Sequence, residues 1–314
     1  MLKSLKQRPQ VNLFIWVALF LFVITVGCER DSNPSESKPT VVATTGIIAD
    51  GLTQLLLDDV KVISLMGPGV DPHLYKVSHG DIVKLQAAQV EFYNGLHLEG
   101  KMAEVLAGYS KQKTCVPVAE AIDDSKRRKS DEANGIADPH VWFDVQLWRS
   151  AVIAMKQALV KEFPELAVSI ESRHVAYDSQ LINLDRWVRQ ELASIPQERR
   201  VLITAHDAFG YFGEAYGIEV HGLQGVSTAA EFGLYDLKQL VELISTRKIP
   251  AIFTESSVSP KFITALRDGV AARGHQIKIG GELFSDALGA KGSLAESYVG
   301  MVQQNVNTIK SALQ

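Results

Sequence analysis

From Thr40 onward the chain alternates short runs of β-branched and aromatic residues with longer stretches whose apolar positions recur at helical spacing. In the first half, 41–45, 61–66, 90–94 and 114–118 read as strands, and 47–57, 78–88, 99–109 and 145–163 as helices. Ser78 followed by Asp81 has the form of a capping box that opens one of these helices. The second half repeats the rhythm, with strands at 200–205, 218–223, 251–255 and 276–281 and helices at 208–216, 235–247, 260–272 and 293–313. Strand–helix alternation of this kind predicts an α/β fold of two lobes, each a mostly parallel sheet flanked by helices.

Between the two halves lies a segment of a different kind. Leu166, Ile170, Val175, Leu181, Leu184, Trp187, Val188 and Leu192 recur at near-helical spacing between Pro164 and Pro196, with no glycine or proline between. One rigid helix over 164–195, joining lobes at 40–163 and 196–314, is the expectation; two shorter helices inside one lobe are the alternative.

The N-terminus has yet another pattern. Lys3, Lys6 and Arg8 precede the apolar run Leu13–Gly27. That run is about 15 residues, short of the ~20 a membrane-crossing helix needs, and fits the core of an export signal. It ends in Thr25-Val26-Gly27-Cys28, which resembles a bacterial lipobox, although Thr25 stands where Leu is usual. The resemblance implies that residues 1–28 form a lipoprotein signal whose cleavage leaves Cys28 as the new, lipidated N-terminus, and a protein held to a bacterial membrane outside the cytoplasm. An uncleaved anchor is the alternative. Residues 29–39 carry two prolines and three serines and too little apolar matter to pack, so they read as a flexible tether.

Composition narrows the class further. Among 314 residues, 46% are hydrophobic and 22% charged, with a formal net charge of -4, so a basic nucleic-acid surface is not expected. The cluster Lys126–Lys129 sits among acidic residues and reads as a solvated mixed-charge loop. With Cys28 lipidated, Cys115 has no disulfide partner and reads as a buried structural thiol.

Three of the eight histidines share a setting. His73 and His140 each follow Asp-Pro in a loop, and His206 follows a predicted strand. In α/β folds, the carboxyl ends of strands are where ligand-binding groups collect. Proline fixes φ and stiffens the loop that aims an imidazole. Each histidine alone is an ordinary residue. One per strand end, drawn from both halves, points to a metal site, and neutral imidazoles suit zinc. A fourth ligand is sought after the last strand, where Asp286 stands, although a loop aspartate is commonly a cap or turn residue. Glu255 ends a strand and either orients a ligand imidazole or makes a turn. His79, His97, His174, His221 and His275 read as surface or packing residues, with support of a ligand as the alternative for His221, which follows a strand pattern.

These motifs resemble the TroA-like receptors of zinc and manganese ABC uptake systems. The resemblance rests on four motifs in that family's order, Asp71-Pro72-His73, Asp138-Pro139-His140 with Trp142, His206-Asp207-Ala208-Phe209 and Leu283-Phe284-Ser285-Asp286-Ala287-Leu288, and the segment Asn94–Glu99 also looks like the family. It implies one zinc or manganese ion held between two lobes by His73 and His140 from the first and His206 and Asp286 from the second. It also implies a lipid-anchored monomer that serves an ABC permease with its cytoplasmic ATPase, with no catalytic activity. Lys76-Val77 stands where the family commonly has Glu or Gln before Pro, the loop 123–139 lacks histidine, and His206 stands where manganese members commonly have Glu. Three imidazoles and one carboxylate lean toward zinc. Two rival readings share the histidines: a zinc hydrolase, for which no HExxH-type motif is present, and a surface adhesin with structural metal.

Overall fold

The computed structural model describes residues 38–129, 135–229 and 233–314. The segments expected to be an export signal and most of a tether, with Cys28, lie outside the described residues. In chain order the first half runs β1 (Thr40–Ala43), α1 (Gly46–Leu56), β2 (Lys61–Ser64), α2 (His79–Ala87), β3 (Val90–Tyr93), α3 (Ala103–Tyr109), β4 (Thr114–Pro117) and α4 (Val145–Glu162). Its four strands form one parallel sheet in the order β2-β1-β3-β4. Then follow α5 (Ala167–Ala193), β5 (Val201–His206), α6 (Gly210–Tyr216), β6 (Glu219–Gln224), α7 (Leu234–Arg247), β7 (Ala251–Glu255), α8 (Lys261–Ala272), β8 (Lys278–Leu283) and α9 (Tyr298–Leu313). β5 pairs with β6 and β7 with β8, both parallel, and β5 runs beside β7. The protein is therefore α/β, with parallel sheets flanked by helices and a long helix linking two lobes.

Local chemistry explains the boundaries. Ser78 caps α2 by accepting from Asp81 N, and the Asp81 carboxylate accepts from Ser78 N at 3.0 Å, completing the predicted box. Gly217 adopts a left-handed φ of 70° and ends α6, a conformation that costs glycine little. Ser297 interrupts the helix expected over 293–313. Its side chain caps α9 by accepting from Gly300 N, so residues 294–296 form a separate 3-10 turn.

The long helix holds its place through one buried stripe. Ile170, His174, Tyr177, Leu181, Leu184, Val188 and Leu192 are buried, and α5 packs on α1 and α4 from one half and α9 from the other. Val175, expected in that stripe, is 58% exposed, because at about 100° per residue it falls off the face that holds 174, 177 and 181. A helix braced on both sides bends reluctantly.

Two expectations need correction. Cys115 is half-buried rather than buried, and its Sγ–H donates to Glu91 Oε2 at 3.3 Å. Burial, and then the neighbouring Glu91 charge, push the thiol up to about 12, so it stays protonated and unreactive. The basic cluster is not simply solvated: Arg127 donates to the backbone oxygens of Ile122 and Glu120, and Arg128 is drawn into a network of carboxylates near the site.

Candidate metal centre

Each of the four predicted residues arrives at one point by a different local device. In both Asp-Pro-His turns the aspartate accepts the backbone N–H of the histidine two residues on: Asp71 Oδ1 from His73 at 2.9 Å, and Asp138 Oδ1 from His140 at 2.9 Å. This turn, with φ fixed at the intervening proline, sets the direction of the histidine. Thr228 Oγ1 donates to Asp71 Oδ2 at 2.6 Å and ties the His73 loop to the second half. His206 is the last residue of β5, one residue beyond the strand expected from sequence. Gly222 in β6 leaves room for it: a Cβ there would come within 2.4 Å of Asp207 N. Asp286 follows β8, and Ser257 Oγ donates to its Oδ2 at 3.1 Å.

These elements bring the four side chains together. One ligand atom from each of His73, His140, His206 and Asp286 lies within 4.8 Å of the other three. The imidazole centroids of His73, His140 and His206 are 5.3–5.8 Å apart. His140 Nε2 is 3.4 Å from Asp286 Oδ1, and His206 Nε2 is 3.4 Å from Asp286 Oδ2. A tetrahedral zinc with bonds of about 2.0–2.1 Å has ligand–ligand edges of about 3.3 Å. All four side chains are buried, and the three Nε2 atoms and Asp286 Oδ1 have no hydrogen-bond partner among the described residues. Buried polar atoms are normally satisfied, and such a group left open calls for an occupant, for which a cation has the right chemistry.

Supporting carboxylates aim the rings. His140 Nδ1 is 2.8 Å from Asp138 Oδ1, and His206 Nδ1 is 2.6 Å from Glu255 Oε2. At His140 this contact is a hydrogen bond and at His206 a close charge contact; in both Nε2 faces the centre, the arrangement in which a carboxylate behind the ring favours one orientation. Glu255 Oε1 also accepts from Ala205 N and His206 N, at 2.7 and 2.9 Å, so it clamps the end of β5 as well as the ring. Glu255→Gln is expected to weaken metal binding about 10–100-fold, the usual cost of losing such a partner. Competition titration against a chelator measures it, and an unchanged affinity would remove Glu255 from the site's machinery.

Charge is finely divided here. Burial opposes protonation of His140, but hydrogen bonding and charge from Asp138, with Asp286 adding, outweigh it and push the pKa up to about 9. His206 is raised well above its ordinary value because Glu255 and Asp286 likewise overcome burial. Burial also works against the ionised form of Asp286, but the His206 and His140 imidazoles hold its carboxyl well below the usual range. His73 goes the other way: burial, with the neighbouring imidazoles adding and Asp286 opposing, lowers it to about 3.

The sequence points to the four residues that converge here and raises Glu255 as a candidate behind one ring, but it assigns no role to Asp138 or Arg128. Asp138 was legible as the first residue of its tripeptide, two positions from the histidine it serves. Arg128 was not: its Nη1 reaches Asp138 Oδ2 at 3.0 Å and Asp207 Oδ2 at 3.2 Å, and its Nε reaches Glu214 at 3.2 Å, joining the loop behind His140 to the segment after His206. His221 is not a supporting residue; it pairs with the exposed Glu219 at 2.8 Å.

A buried cluster of three imidazoles and a carboxylate, assembled from two parallel-sheet lobes braced by one helix, defines a metal-ion solute receptor. The chain belongs to the family described as ZnuA, zinc-uptake complex component A, periplasmic, whose pattern matches residues 41–312. The family consists of solute-binding transport receptors, not enzymes. The zinc-binding protein TroA of Treponema pallidum is 51% identical over 279 residues, 89% of this chain and 90% of that protein. The manganese-binding lipoprotein MntA of Bacillus subtilis is 47% identical over 298 residues, 94% of this chain and 97% of that protein. The solved structure of the periplasmic zinc-binding protein TroA from Treponema pallidum superposes with a TM-score of 0.86 over 88% of this chain and 99% of its own.

Proposed function

We propose that this protein captures one divalent zinc or manganese ion at His73, His140, His206 and Asp286 and delivers it to the permease of an ABC importer driven by a cytoplasmic ATPase. The lobes are residues 40–163 and 196–314, with 164–195 between them. The receptor works as a monomer outside the cytoplasm, held to the membrane by lipid on Cys28 and a tether over 29–39. No described helix is long and apolar enough to cross a membrane. The donor set of three imidazoles and one carboxylate favours zinc over manganese, which prefers more oxygen ligands.

The observation that carries this reading is the convergence of four buried side chains, from both halves of the chain, whose open donor atoms face one another. With each half supplying two ligands, the ion crosslinks them, and release requires the permease to draw ligands apart. Protein stripped with chelator is expected to stay folded, unlike one that needs structural metal, and to bind zinc and manganese 1:1. Retention of tight 1:1 binding by His206→Ala would count decisively against the shared site.

A further inference from the structure

Two of the ligand segments that meet at the seam are also tied to each other by a hydrogen bond that needs no metal. Trp142 lies two residues after His140, in the short turn Val141–Phe143, and is buried. Its indole Nε1–H donates to the backbone oxygen of Ser285 at 2.9 Å. Ser285 is itself buried and directly precedes Asp286. The backbone oxygen of Trp142 in turn accepts from Tyr298 Oη, at the start of α9, at 2.8 Å. On the other side of His140, Asn94 Nδ2 donates to Pro139 O at 3.0 Å. His140 is thus held before and behind, and one of its holds reaches across to the ligand from the second half.

We propose that Trp142 is a positioning residue whose hydrogen bond to Ser285 sets the span between His140 and Asp286 and thereby the preference for zinc over manganese. This rests on the metal-receptor reading above and assigns part of its selectivity. The path is short: only Val141 separates Trp142 from His140, and nothing separates Ser285 from Asp286. His140, Val141, Trp142, Ser285 and Asp286 are all buried, so their torsions are held by packing and the bond passes its geometry on to the 3.4 Å separation of His140 Nε2 and Asp286 Oδ1. That separation fits the edge of a zinc tetrahedron, about 3.3 Å. Zinc in a closed four-ligand shell loses more from a widened span than manganese, which accepts larger shells richer in oxygen.

Indole carries a single donor, so phenylalanine at this position removes the bond while keeping a ring edge-on to His140, where the centroids now lie 5.2 Å apart. Chelator-stripped protein is titrated with zinc and with manganese as wild type, Trp142→Phe, Tyr298→Phe and Leu181→Ala, the last a buried core residue of α5 that serves as a stability control. In Trp142→Phe the zinc Kd is expected to rise about tenfold and the manganese Kd less than about threefold, so the preference for zinc drops by at least about threefold. Tyr298→Phe shifts the preference the same way by less, and Leu181→Ala lowers the melting temperature with the preference intact. A wild-type zinc-to-manganese ratio in both Trp142→Phe and Tyr298→Phe, with wild type binding normally, overturns the inference and leaves the receptor reading standing. If Trp142→Phe does not fold, Tyr298→Phe alone decides. Failure of the wild type to bind either ion overturns both.

Discussion

Asp286→Asn is expected to weaken zinc binding by about two to three powers of ten. Apparent binding free energies of closed four-ligand zinc sites run to roughly 10–16 kcal/mol, so one ligand in four accounts for about 2.5–4 kcal/mol. At about 1.4 kcal/mol per tenfold, that is the stated loss. Asparagine keeps the shape and one oxygen but removes the charge. The carboxylate it replaces is fully buried, faces two imidazoles at 3.4 Å through different oxygens, and is held far below its ordinary pKa by them. No other group among the four ligands carries a negative charge, so nothing nearby takes over. Titration against a chelator of known affinity measures the change. A loss smaller than about tenfold would mean that the carboxylate is a bystander, and the four-ligand site would fall with it.

The second large effect concerns acid. Between pH 7.5 and pH 5.5 the zinc affinity is expected to fall by about four powers of ten, a slope of about two per pH unit. The sign follows from the metal-free site. His140 is raised to about 9 and His206 well above its ordinary value, so both hold a proton in this range when no metal is bound. Both protons must leave for Nε2 to ligate, and a lower pH therefore favours the metal-free form. His73 is lowered to about 3, so it stays neutral here and releases nothing. Exchange of two protons for one divalent ion leaves the total charge beside the buried Asp138, Glu255 and Asp286 unchanged. Calorimetry in buffers of different ionisation enthalpy counts the protons directly. Release of fewer than one proton per ion near neutral pH would contradict this division of charge.

How much of this could be read from the chain alone depended on how local the signal was. Strand and helix order followed the change of hydrophobic period and came out in sequence. The capping box at Ser78 and Asp81 lies within four residues and was legible in full. The two Asp-Pro-His turns were legible as motifs. Why aspartate precedes proline became evident only when its carboxylate was seen to accept the histidine N–H and, at Asp138, to engage the ring as well. His221 looked like Glu255 in sequence, each near a strand end. Only Glu255, whose β7 lies beside β5, faces a ligand; His221 sits on β6 and turns to Glu219. The mixed-charge loop around Arg128 read as solvated because composition carries no information about what a loop folds against.

By itself the sequence determined the alternation of elements, the long connecting helix, the identity of the four candidate ligands and the pattern of an export signal. All of these are encoded within short windows, where period, caps and turn chemistry act between neighbours. Only the tertiary structure decided that residues as far apart as His73 and Asp286 have ligand atoms within 4.8 Å, that Asp138 and Glu255 stand behind the rings, and that Trp142 reaches Ser285. Those contacts depend on how two sheets and a braced helix pack, and packing is set by the sum of many weak apolar contacts along the whole chain rather than by any single stretch of it.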